Sequence, residues 1–320
     1  MIMIYFFDYK YNNKFFFFLK NQDSLNYCNN YGIMVYDYYY EGKISDNRAN
    51  IGDYIQSLAA LQYLPKNCKP YLVDRDMVQF YHGPKIKLIM NGWHHIHEGN
   101  EYISKEIKPI FLSYHIYNID ELSSIYLENL KKYSPIGCRD LHTKDNLNKF
   151  GINAYFSSCL TTTLDIDYGV KENERNNEII LIDYEFGDFP KADKFFYSLK
   201  AYNFTNITKT RHYFNLKRTH IERFQLAKKL LNKYAKAKLV ISTRIHGALP
   251  CLAFNTPIIL ITKKYDNERY PGLYELLNTV GINNKGEFEI RVNVDSKGLV
   301  YNTKKYLKYS NLLKKKLRNI

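Results

Sequence analysis

The chain has 320 residues, 45% of them hydrophobic, and its 46 Lys+Arg against 32 Asp+Glu give a formal net charge of +14. Such a length fits two medium domains, each with its own core. The positive balance points to an anionic partner, but no nucleic-acid motif accompanies it, so a nucleic-acid partner is not expected.

Residues 1–32 are aromatic and Asn-rich and read as an N-terminal extension. From Ile33 the pattern becomes strand, loop, helix, repeated. Ile33–Tyr40 reads as a strand and Glu41–Ile51 as a polar loop. Asp53 then caps a helix that Pro65 stops near Leu64. Lys85–Met90 is the next strand, ending in Asn91-Gly92-Trp93, and Ile110–Tyr114 follows. A helix is expected near Glu121–Tyr133, a strand over Ile136–Cys138, and a helix over Leu141–Phe150 with Gly151 as its stop. Asn153–Ser157 returns as a strand, with Cys159–Leu164 at its end. The alternation predicts parallel sheets covered by helices.

Lys171–Glu178 is charged, contains no apolar residue, and reads as a linker. The expected division is therefore a first α/β domain over 33–170 and a second over 171–320, meeting near 165–178. A new strand, Ile179–Asp183, opens the second. Lys217–Ala237 shows the clearest helical spacing, with Thr219 and Glu222 as a capping-box pair. Leu239–Ser242 and Ile258–Ile261 read as buried strands flanking a helix over Ala248–Phe254. Thr303–Ile320 is a basic amphipathic helix that either docks on the body or lies at an anionic membrane surface.

Five cysteines without a Cys-x-x-Cys spacing argue for free thiols in a reducing compartment. No apolar run approaches the roughly 18 to 20 residues of a membrane span. A cytoplasmic protein is expected, with peripheral membrane contact through the last helix as the alternative.

Candidate site residues gather at strand ends, where ligands sit in open parallel sheets. Asn50-Ile51-Gly52-Asp53 precedes the first helix, where glycine permits close approach and Asp53 caps the helix or binds a hydroxyl. His94, His95 and His97 raise a metal site, but no carboxylate or cysteine stands at a ligand spacing, so a polar loop is expected. Arg139 follows a strand and precedes a helix, which suits a carboxylate or phosphate, or pairs structurally with Asp140. Cys159 reads as a buried thiol with no histidine to activate it. Arg244, His246 and Gly247 stand between a buried strand and a helix start, and histidine is suited to proton transfer near neutral pH.

Taken together, Asn50-Ile51-Gly52-Asp53, Cys138-Arg139-Asp140, Tyr155-Phe156-Ser157-Ser158-Cys159-Leu160-Thr161 and Ser242-Thr243-Arg244-Ile245-His246-Gly247 resemble the polysaccharide pyruvyl transferase family over about 33–262. The resemblance implies two Rossmann-like domains in a glycosyltransferase-B-like arrangement with a cleft between them. It implies transfer of the enolpyruvyl group of phosphoenolpyruvate to a sugar as a ketal, with phosphate released and no cofactor or metal required. By motif match His246 is the general acid/base, Arg244 a donor anchor, and Arg139 a second arginine holding the donor from the facing domain. Ile245 stands where leucine is commoner, and the early Gly-rich turn is reduced to Asn91-Gly92. Asp266, Asn267 and Arg269 are expected sugar or phosphate contacts. A nucleotide-sugar glycosyltransferase using Asp53 as base, or a silent glycan-binding relative, are the competing readings.

Overall fold

The computed structural model describes residues 27–37, 48–65, 69–94, 102–117, 119–164 and 174–318. The fold is mixed α/β, built on parallel sheets. The first half contributes β1 (Tyr27–Val35), β2 (Arg48–Asn50), α1 (Ile51–Leu61), β3 (Lys69–Asp74), β4 (Ile86–Ile89), β5 (Gly92–His94), β6 (Ile107–Ile110), β7 (Tyr114–Ile116), α2 (Ser124–Lys131), β8 (Ile136–Cys138), α3 (Leu141–Lys149) and β9 (Ala154–Phe156). The second contributes β10 (Ile179–Ile182), α4 (Pro190–Ser198), β11 (Ile207–Thr210), β12 (Tyr213–Asn215), α5 (His220–Lys236), β13 (Leu239–Ser242), α6 (Ile245–Ala253), β14 (Ile258–Thr262), β15 (Thr279–Ile282), β16 (Phe288–Arg291) and α7 (Leu307–Leu317).

β3-β1-β4-β6 form one parallel sheet and β5-β7-β8-β9 another. The two are stitched end to end. Met90 N–H donates to Ile110 O (2.9 Å), Gly92 N–H to Ser113 O (3.1 Å) and Gly137 N–H to Phe111 O (3.1 Å). β4 and β5 are thus successive stretches of one path, as are β6 and β7. The second half forms a six-stranded sheet, β11-β10-β13-β14-β15-β16, antiparallel only at β16. Counted along the chain, each half places its second strand outside its first and its third on the first strand's other side. That order puts a switch point, where ligand crevices form, between the first and third strands.

Several sequence expectations are corrected here. β1 begins at Tyr27, inside the stretch read as an extension, and residues 1–26 lie outside the described residues. The polar run Tyr27–Asn30 hides a central strand whose Gly32 lets the Ile86 side chain approach, since a Cβ there would stand 2.6 Å from Ile86 Cδ1. Arg48–Asn50 is strand rather than loop, because β2 pairs antiparallel with β12. Asn50, not Asp53, caps α1: its side chain accepts from Gly52 N–H at 3.0 Å. The strand expected over Ile110–Tyr114 falls on the break between β6 and β7, where Ser113 takes φ +59°. α6 starts at Ile245 rather than Ala248, with Pro250 inside it. Residues 165–173, which hold most of the expected junction and the first three residues of the linker Lys171–Glu178, lie outside the described residues, as do His95 and His97.

The halves share a core. One buried apolar cluster runs from Ile33 and Ile55 through Leu147 and Leu160 to Phe224, Val240, Leu260 and Leu313, while a second covers the far face of the second sheet. α1 is buried over its whole length. Its Ile51, Ile55 and Leu58 each contribute on the order of 1.5–3 kcal/mol of burial. From the second half, α7 reaches back: Ser310 Oγ donates to Thr162 O at 3.1 Å, and Tyr309 packs edge-on against Phe156. Among the described residues no helix is long and apolar enough to cross a membrane.

Candidate functional site

β13 is a fully buried strand, and the chain turns from it directly into α6. Ser242 Oγ secures the turn by accepting from Arg244 N–H (2.9 Å). Gly247 is needed for this packing. A Cβ there would stand 2.8 Å from both Ile182 Cδ1 and Ser242 Oγ, so any side chain would push the helix off the sheet. His246 thereby sits in the first helical turn, 5% exposed, pointing toward the start of α1. Gly52 accommodates it, since a Cβ at Gly52 would lie 3.0 Å from His246 Cβ and Nδ1. Its Nε2 is buried without a hydrogen-bond partner among the described residues. Burial, reinforced by Arg139, Arg269 and His212, holds its pKa well below the ordinary histidine value. In the empty protein His246 is therefore neutral.

Arg139 is the largest fully buried side chain, at 0% exposure. It leaves the end of β8, its N–H donating to Tyr114 O (2.8 Å). None of its three guanidinium nitrogens has a hydrogen-bond partner among the described residues. The nearest carboxylate oxygen is Asp140 Oδ2, 3.8 Å from Nε, and that oxygen is already held by His115 Nδ1 at 2.7 Å. Asp140 Oδ1 caps α3 through Thr143 N–H (2.8 Å). The Arg139–Asp140 pairing expected as an alternative is thus long and shared. A buried guanidinium that makes no hydrogen bond is costly.

Other partnerless polar atoms surround this end of the sheets. His94 Nε2, His115 Nε2, Ser113 Oγ and Ser158 Oγ are all buried without partners among the described residues. Ser113 and Ser158 both hold positive φ (59° and 65°), a conformation that costs energy for a non-glycine residue. Arg139 lies within electrostatic reach of His94, His115 and His246, and Arg269 reaches the last two. Arg269, in the loop after β14, has an unpartnered Nε and lies within reach of Asp53. The outcome is a buried cluster of two arginines, three imidazoles and two hydroxyls, with Asp140 and Asp53 as nearby carboxylates, beside the N-termini of α1, α3 and α6. It suits a compact polyanion.

The remaining expected residues are distributed around it. Arg244 donates from Nε to Asp183 Oδ2 (2.6 Å) and stacks its guanidinium over Tyr213 (4.5 Å to the ring centroid), also bonding the Tyr213 hydroxyl. It is therefore already paired, at the switch point between β10 and β13. Asp53 accepts from Gln56 Nε2 (3.2 Å) in the first turn of α1. Asn91 donates to Gln56 O (2.9 Å) and ties β4 to α1, while Gly92 takes φ +123°. Asp266 Oδ1 accepts from Arg269 N–H (2.8 Å), and Asn267 is exposed. Cys159 is a buried thiol 3.2 Å from Thr161 Oγ1, its pKa raised by burial. Among the described residues no His, Cys, Asp and Glu group has metal-holding geometry.

Sequence reasoning missed His115, Ser113 and Asp183. Asp183 had a signal, since it ends a buried strand just as Arg244 follows one. His115 stands between Tyr114 and Ile116 on a strand that the pattern misplaced.

The family model described as polysaccharide pyruvyl transferase matches residues 50–265. No curated protein matches the chain significantly. A crystal structure of a functionally uncharacterised protein from Klebsiella pneumoniae subsp. pneumoniae is similar at 16% identity and a TM-score of 0.46, over 79% of this chain and 93% of that one.

Proposed function

Because the chain belongs to the polysaccharide pyruvyl transferase family, we propose that it moves the enolpyruvyl group of phosphoenolpyruvate onto a sugar of a glycan, forming a pyruvate ketal and releasing phosphate. In this reading the two halves form two Rossmann-like domains in a GT-B-like arrangement, and the donor sits where their strand ends meet. The observation that carries the reading is Arg139, a fully buried guanidinium with no hydrogen-bond partner among the described residues. Phosphoenolpyruvate offers a carboxylate and a phosphate, and the charge-assisted bonds that Arg139 lacks are those such an anion supplies.

Arg139 and Arg269 hold the donor, with α1, α3 and α6 directing their N-terminal ends toward it. Arg244 adds its remaining donor, Nη1, while Asp183 and Tyr213 keep it in place. His246 is the acid. It is neutral when the site is empty because two arginines and burial disfavour its charge. A bound polyanion offsets those arginines and raises the pKa of His246, so donor binding brings a proton to the imidazole. That proton goes to the methylene carbon, leaving C2 open to a sugar hydroxyl, and the cations stabilise the departing phosphate.

The test is incubation with phosphoenolpyruvate and, separately, with nucleotide sugars, over a panel of sugar acceptors. Phosphate release with a pyruvylated product supports the proposal. Nucleotide release, or binding without turnover, contradicts it.

A further inference from the structure

Of the three imidazoles near Arg139, only His115 is held by a carboxylate. Its Nδ1 lies 2.7 Å from Asp140 Oδ2, with both side chains 0% exposed. Thr143 Oγ1 stands 3.1 Å from the same nitrogen. Despite its burial, Asp140 is held below the ordinary carboxylate value by His115, by Arg139 and by the Thr143 N–H. An ionised carboxylate only accepts, so the proton of His115 resides on Nδ1 and the lone pair on Nε2. That Nε2 is buried and has no partner among the described residues. Burial and Arg139 push the pKa of His115 down to about 4, outweighing Asp140, so the ring is neutral near pH 7. The groups facing it are Asp140, Thr143, Arg139, Arg269 and His94.

A carboxylate that fixes the tautomer and steadies the imidazolium is the arrangement that makes histidine a base. His246 has no carboxylate hydrogen-bonded to it, yet it shares the electrostatic reach of Arg139 and Arg269 with His115. A purely structural role accounts for less. Capping α3 needs only the bond from Thr143 N–H to Asp140 Oδ1, and leaves a second carboxylate oxygen and a buried imidazole unexplained.

We propose that His115 is the base of the transfer, its Nε2 taking the proton of the attacking sugar hydroxyl while His246 protonates the methylene carbon. The proposal rests on the pyruvyl-transfer reading. In the first step the C2=C3 π pair takes the proton of His246, the hydroxyl oxygen forms a bond to C2, and its proton passes to His115. In the second, the C2–O bond to phosphate breaks with its pair leaving on the phosphate, which takes the proton held by His115. A second sugar hydroxyl then closes the ketal and returns a proton to His246. Both imidazoles end as they began, and the products are the ketal and hydrogen phosphate.

The experiment measures phosphate release from phosphoenolpyruvate with p-nitrophenyl glycosides of glucose, galactose, mannose and N-acetylmannosamine, each offering a diol. Calorimetry of phosphoenolpyruvate binding runs in parallel. His115→Asn keeps an amide donor near the position of Nδ1, and hence the bond to Asp140, but removes Nε2. Its kcat should fall about 100- to 10,000-fold and recover as pH rises, while donor Kd stays within about threefold. Asp140→Asn keeps the cap, since Asn caps as well as Asp, and should lower kcat at least about tenfold with donor binding again retained. A folded His115→Asn with wild-type kcat overturns the base role alone, as does donor binding that weakens in step with kcat. If His115→Asn does not fold, an unchanged kcat in Asp140→Asn overturns it. A wild-type chain that releases nucleotide from nucleotide sugars and no phosphate from phosphoenolpyruvate overturns the pyruvyl-transfer reading, and the base role with it.

Discussion

The two halves repeat one strand order and treat their strand-end arginines in opposite ways. In the second half, Arg244 leaves β13 and meets Asp183 from β10 at 2.6 Å across the switch point, with Tyr213 beneath it. In the first, Arg139 leaves β8, is more deeply buried, and among the described residues has only a 3.8 Å ion pair with Asp140 and no hydrogen bond to its guanidinium. The same order of strands thus carries one cation closed by a short carboxylate bond and one held only by a long ion pair. A short pair holds the structure, whereas a buried charge without hydrogen bonds weakens the empty protein and waits for an anion. Under the proposed pyruvyl transfer, that difference puts the donor nearer to Arg139 than to Arg244.

The largest expected effect falls where the halves meet. His246→Asn should lower turnover about 100- to 10,000-fold while the protein stays folded, with phosphate release as the assay. Near-normal turnover would place the chemistry elsewhere.

The two arginines then separate binding from stability. Arg139→Met should weaken donor binding about 100-fold or more, two charge-assisted contacts at about 1.5–3 kcal/mol each. It should leave the melting temperature unchanged or higher, because a buried charge without hydrogen bonds among the described residues is gone while Asp140 keeps its bond to His115. Arg244→Met should weaken donor binding only about tenfold yet lower the melting temperature, because Asp183 loses its partner. Reversed stability effects would break the comparison.

Acid should destabilise the fold. The pKa values of His115, His212 and His220 are lowered to about 4, chiefly by burial. Between that value and the ordinary histidine value of about 6.5 the unfolded chain binds more protons, so stability falls as pH drops through this window. Asp74, raised to about 7 by burial and by Asp76 and Asp37, acts in the opposite sense there, since its folded form holds the extra proton. Three histidines outweigh one carboxyl, so the melting temperature should fall from pH 7 to 5. A flat profile would contradict the buried neutral histidines.

The smallest effect expected is at Gly52→Ala. The new methyl would meet His246 at 3.0 Å, shifting the imidazole and reducing kcat by about tenfold, the cost of misplacing a reacting group by a fraction of an ångström. Donor affinity should change little.

Much of this was legible because it is local. The capping box at Thr219 and Glu222, the strand Ile136–Cys138 and the stop at Gly151 depend on neighbouring residues, and the structure holds them as read. Arg139, Arg244 and His246 stood out because each follows a buried strand. The misses have tertiary causes. Asn50 takes the cap because β2 is fixed by β12, and Asp53 falls inside the first turn of α1, where it accepts from Gln56. Gly247 and Pro250 look like breakers, yet α6 runs through both, since Gly247 is required by the sheet beneath it. His115 and Asp140 lie 25 positions apart and meet only because β7 and β8 are adjacent strands. The absence of a hydrogen bond to the Arg139 guanidinium among the described residues is a property of packing that no local pattern records.

The central claim is that Arg139 waits for the donor, and titration calorimetry of phosphoenolpyruvate into the wild type and a folded Arg139→Ala variant tests it most directly. Run in buffers of different ionisation heat, the wild type should bind with proton uptake as His246 charges, and Arg139→Ala should bind about 100-fold more weakly or not at all. Equal affinity in the two proteins, or binding without proton uptake in the wild type, would contradict the account.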